Sequence, residues 1–121
     1  MSIVTAFNSL LDQFMTELSR LFPGDNKLRT YHTFANGMAA VQPASLLRYF
    51  RATVLPYKSQ IEARDAQFFL RKDYTEEMAA HGTDVIESMR LKDLWCSMSD
   101  QSKQTTFEYL HKLVSLAELH T

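Results

Sequence analysis

Four histidines, His32, His81, His111 and His120, and a single cysteine, Cys96, are the side chains of this 121-residue sequence best suited to metal binding or nucleophilic chemistry. No pair of histidines has the HExxH spacing that sets two imidazoles and a general base on one helix face. His111 and Glu118 stand two helical turns apart, but a metal ion ordinarily takes three or four convergent ligands. Cys96 would serve as a nucleophile only if a base or a helix terminus lowered its thiol pKa. Its neighbours Leu94, Trp95 and Met98 make it, by expectation, a buried and inert cysteine. The three glycines, Gly24, Gly37 and Gly82, build neither a phosphate-cradling loop nor a dinucleotide fingerprint. Asp65 and the acids within 73–77 read as helix caps and solvated charges rather than as a catalytic carboxylate pair. The sequence therefore predicts no catalytic residue, no metal, no cofactor and no small-molecule substrate, and directs attention to binding.

Charge is the first guide to a binding surface. The net charge of −1 conceals a basic first half, with net +3 over residues 1–60, and an acidic second half, with net −4 over residues 61–121. Arg20, Lys27, Arg29, Arg48, Arg51 and Lys58 form the basic set, and an anionic partner such as nucleic acid is the alternative they raise. Tyr31, Phe34, Tyr49, Phe50 and Tyr57 are interleaved with these cations, as on many nucleic-acid surfaces. Phe34 and Phe50 fall on apolar helix stripes and are expected in the core, which leaves Tyr31, Tyr49 and Tyr57 as the exposed stackers. The second guide is aromatic. Phe68, Phe69, Tyr74 and Trp95 would form a protein-binding surface if the monomer only half covers them, since aromatics dominate binding hot spots.

The elements that must position these residues are helical. Over residues 2–22, Ile3, Phe7, Leu10, Leu11, Phe14, Leu18 and Leu21 recur at helical spacing, and Pro23 with Gly24 ends the run. Asp25 or Asn26 caps a second helix carrying Leu28, Tyr31, Phe34 or Ala35, and Met38, with Gly37 weakening its end. A third segment starts at Pro43 and carries Leu46, Leu47, Phe50 and Val54. Pro56 bends or breaks it and opens a further helix with Tyr57, Ile61 and Arg64. Thr75 and Thr83 with Asp84 mark two further helix starts, with Gly82 between them, and Leu94, Trp95 and Met98 continue the apolar face. Ser99 or Asp100 caps a last helix whose stripe is Phe107, Leu110, Val114 and Ala117, widened by Leu113 and Leu116.

Apolar residues make up 45% and charged residues 22% of the chain, the composition of a folded protein with one core. No alternating strand, internal repeat or linker divides it. The sequence predicts an all-α fold, one compact domain over residues 1–121 built as a bundle of five to six short helices. One cysteine excludes an intramolecular disulfide and suits a reducing, intracellular setting. No apolar run reaches the roughly 18 residues a membrane span needs, and secretion is not expected either.

Several stretches carry a resemblance: Phe14-Met15-Thr16-Glu17-Leu18, Leu21-Phe22-Pro23, Val54-Leu55-Pro56-Tyr57, Ile61, Arg64-Asp65, Phe68-Phe69, Leu94-Trp95 and Phe107-Glu108-Tyr109-Leu110. In these the chain resembles a group of small uncharacterised α-helical proteins of large DNA viruses of algae and protists. It departs from them at Phe107, where tryptophan is frequent. The resemblance implies an infected-cell or virion setting and brings no activity, catalytic residue or cofactor. Together with the missing catalytic constellation, it leads to the expectation of a structural or adaptor protein that binds a protein partner or its own copies, in virion assembly or in a replication or expression complex.

Overall fold

The computed structural model describes residues 2–72 and 90–120, and every element here belongs to those residues. They are helical throughout, with no strand among them: α1 (Ile3–Leu21), α2 (Asn26–Val41), α3 (Ser45–Thr53), α4 (Lys58–Glu62), α5 (Ala66–Arg71), α6 (Leu91–Leu94) and α7 (Asp100–Leu119). The helix starts expected at Thr75 and Thr83, and Tyr74 with them, lie outside the described residues.

Local chemistry explains the boundaries. The Ser2 hydroxyl, the Asp25 carboxylate and the Ser99 hydroxyl accept from the backbone N–H groups of Thr5, Leu28 and Ser102, capping α1, α2 and α7. Pro56 ends α3: the chain tightens into a 3₁₀ turn, Leu55–Tyr57, before α4 starts. α4 is shorter than its periodicity suggests. Arg64 leaves the helix with φ 54°, a left-handed conformation that costs a non-glycine residue roughly 1–2 kcal/mol. Asp65 then accepts from the Phe68 N–H and starts α5. These interruptions divide residues 45–71 into three α-helices and a 3₁₀ turn, and the described residues carry seven α-helices. Gly37 does not end α2, which runs on to Val41.

One cluster of buried residues draws on α1 (Phe7, Leu11, Phe14, Met15, Leu18), α3 (Leu46, Leu47, Phe50) and α7 (Phe107, Leu110, Leu113, Val114, Ala117). α1 packs against both α7 and α2, and α3 against the same two helices, so α2 and α7 occupy diagonal positions. α1 and α7 run antiparallel. Phe14 stacks on Tyr109 near their midpoints, at 4.9 Å between ring centroids. At one end Phe7 meets Phe50, while the next residue, Arg51, donates to the carbonyl of His120. At the other end Arg90, just before α6, bonds the Asp25 carboxylate at 3.3 Å.

Candidate protein-interaction surface

Three of the four expected interface aromatics come together. Phe68 and Phe69 on α5 meet edge to face at 5.2 Å, and both approach Tyr57, at 5.5 and 6.2 Å. Phe69 continues to Phe107 on α7 at 6.4 Å, and Phe107 receives Trp95 edge-on at 5.4 Å. Such pairs add about 0.5–1.5 kcal/mol each beyond the area they bury. Phe68, Phe69 and Trp95 are half-buried and Phe107 is buried, so the cluster is continuous with the core while keeping an outer rim. Tyr57 and Phe107 are members that the sequence pattern did not assign to this surface. Two cations lie over the rim rings: Lys72 at 4.8 Å from the centre of Tyr57 and Lys103 at 5.7 Å from that of Trp95.

Between α5, α6 and α7 the cluster borders a crevice of about 30 Å³, lined by Ala66, Phe69, Leu70, Leu91, Trp95 and Phe107 among others. Its exposed lining is almost wholly apolar, a surface suited to the tip of one apolar side chain rather than to a polar substrate.

The six cations expected to form one basic surface separate. Arg20, Lys27 and Arg29 lie around the α1–α2 turn, whereas Arg48, Arg51 and Lys58 lie on α3 and α4, near the C-terminal end of α7. α1 alone spans about 28 Å between these ends, from 19 residues at 1.5 Å each. Several of the cations also have partners within the protein. Arg20 pairs with Glu17, Arg51 with the His120 carbonyl, and Lys58 with Glu118 at 2.6 Å and Glu62 at 3.8 Å. The Glu118 contact raises the Lys58 pKa. A single continuous phosphate-tracking groove is therefore not what these residues form.

Several expectations about exposure are not met. Phe34 is 54% exposed, and Ala35 takes its expected place in the core. α2 is rotated so that Leu28 and Ala35 are the residues it buries, and His32 contacts Asp12 of α1 at 2.7 Å. Of the tyrosines expected outside, only Tyr49 is exposed, while Tyr31 and Tyr57 are half-buried. Cys96 is exposed rather than buried. Leu94 and Met98 are the buried neighbours, and the intervening 3₁₀ turn, Trp95–Ser97, directs Cys96 outward.

His111 and Glu118 do not converge as ligands: Glu118 binds Lys58, and His111 faces Glu62 at 3.8 Å. No group of three or more potential metal ligands occurs among the described residues. No described helix is long and apolar enough to cross a membrane. No family model matches the sequence, and no curated protein or solved structure matches it either.

Proposed function

We propose that the chain is a non-enzymatic structural or adaptor protein, a compact single-domain helical bundle that docks a protein partner at the aromatic surface of Phe68, Phe69 and Trp95. The observation that carries this reading is the apolar crevice bordered by half-buried aromatic rings, with Lys92 in its lining and Lys103 over the Trp95 ring. Aromatic anchors around a small dry pocket, edged by charge, are the composition of interaction hot spots. The setting that goes with it is an infected cell or virion of a large DNA virus, in assembly or in a replication or expression complex. That setting rests on the sequence resemblance.

The test is light scattering of the purified protein at low and moderate salt, followed by affinity capture from infected cells with wild-type and Trp95→Ala baits. A defined oligomer, or a captured protein, that is lost with Trp95→Ala while the circular dichroism spectrum is kept supports the surface. Unchanged association in Trp95→Ala and Phe68→Ala removes it.

A further inference from the structure

The outer face of α2 is the largest departure from what the sequence pattern implies. Helical rotation places Asn26, Thr30, Thr33, Phe34, Gly37 and Val41 on the side of α2 opposite Leu28 and Ala35, the two residues it buries. Phe34 and Val41 stand two turns apart there, 54% and 77% exposed. Gly37, between them, has nothing within 4 Å of where a Cβ would sit, so a partner backbone can approach closely at that point.

The charge of this face is one-sided. α2 contains no Asp or Glu. Of the acids near it among the described residues, Asp12 contacts His32 of α2, Glu17 pairs with Arg20, and Asp25 caps α2 at Leu28, bonds Arg90 and feels the charge of Lys27. Lys27 makes no ion pair among the described residues, and Arg29 bonds only the neutral Asn26 side chain. The N-terminal half of the face thus carries two cations without an ion pair among the described residues, beside hydroxyl and amide groups, and the C-terminal half is small and apolar, with Phe34 at the junction.

We propose that this face is a second docking surface, and that its occupant is an acidic amphipathic helix of a partner protein. Carboxylates at one end of such a helix meet Lys27 and Arg29, while its apolar residues cover Phe34, Gly37 and Val41. Charge complementarity selects this occupant. Two cations are too few for the multi-phosphate contact through which nucleic acid binds. In an α2–α2 dimer the same two cations would have no counter-charge. The proposal rests on the adaptor reading in one respect only, that an adaptor requires two surfaces. α2 lies diagonally across α1 and α3 from α7, so the two faces are separate.

The test uses a fluorescein-labelled 18-residue peptide of glutamate with leucine at every third or fourth position, titrated with the full chain and followed by anisotropy. The expected result is binding that weakens as salt rises, weakens at least fivefold in Phe34→Ala, weakens further in Lys27→Glu/Arg29→Glu, and is unchanged in Trp95→Ala. Circular dichroism of each variant verifies the fold, and Phe34→Leu, which keeps the apolar bulk, restores most of the affinity. The proposal is overturned by absent binding, by equal binding to Phe34→Ala, or by equal binding of a lysine-for-glutamate peptide. It is also overturned if a twenty-residue thymidine oligonucleotide displaces the peptide with the same variant dependence, or if light scattering shows a dimer that Phe34→Ala dissolves. Loss of association in Trp95→Ala alone bears on the crevice and leaves this face untouched.

Discussion

α2 and α7 are helices of similar length, 16 and 20 residues, flanking the same two neighbours, α1 and α3, yet they are used in opposite ways. α7 buries six residues on a stripe wide enough to receive α1, α3 and α4 at once, whereas α2 buries only Leu28 and Ala35 and leaves Phe34 and Val41 outside. α7 is therefore framework, and α2 is a helix whose inner edge is anchored while its outer face remains available. An amphipathic pattern alone does not distinguish these roles. The breadth of the buried stripe does.

Core truncation in α7 is the sharpest way to break that comparison. Phe107→Ala removes a ring that contacts both Phe69 and Trp95 and should cost about 3–5 kcal/mol in urea unfolding. Leu113→Ala, at a fully buried position, should cost about 2–5 kcal/mol. Asp25→Ala tests the joint between α2 and the start of α6, since its carboxylate caps α2 and holds Arg90. A loss of about 1–2 kcal/mol is expected.

Asp25 also gives a pH signature. The Leu28 N–H, and then the Arg90 guanidinium, hold its pKa below the ordinary aspartate value of 3.8, against the opposing effect of burial. A carboxylate more acidic in the folded than in the unfolded state contributes its full stability above the unfolded value and loses it as pH falls through the folded one. Wild type should therefore destabilise more steeply than Asp25→Asn below about pH 4 in thermal melts.

The smallest effects belong to the outer face of α2. Gly37→Ala should stabilise by about 0.5–1 kcal/mol, because the added methyl meets open space within a helix. Phe34→Ala should change stability by no more than about 0.5 kcal/mol, as at other exposed positions. A large loss on Phe34→Ala would make α2 framework as well and erase the distinction.

The sequence made the framework legible because α1 and α7 carry long, regular stripes and their caps, Ser2 and Ser99, are the residue types that end helices. Pro56 announced its own break. Phe34 and Ala35 are adjacent and equally compatible with a helical stripe, and the choice between them depends on how α2 is rotated against α1 and α3, a tertiary fact that spacing along the chain does not carry. Cys96 was misplaced for a related reason: a helix interrupted by a 3₁₀ turn changes phase, and adjacency to Leu94 and Trp95 then says little about burial. The aromatic surface was half legible. Phe68, Phe69 and Trp95 stood out by type, but Phe107 and Tyr57 join them only through tertiary approach. The basic residues separate because the fold places Arg20, Lys27 and Arg29 at one end of α1 and Arg48, Arg51 and Lys58 at the other, where Lys58 pairs with Glu118 and Arg51 donates to the His120 carbonyl, none of which a list of charges shows.

The stacking of Phe14 on Tyr109 has a kinetic consequence. A contact between residues so far apart in sequence closes a long loop, and such contacts form later than those between helices that are sequence neighbours. On the ribosome, Phe14 must remain without its stacking partner until α7 has emerged, an interval in which apolar surface invites aggregation or chaperone capture. α1 is made before the helix that covers it.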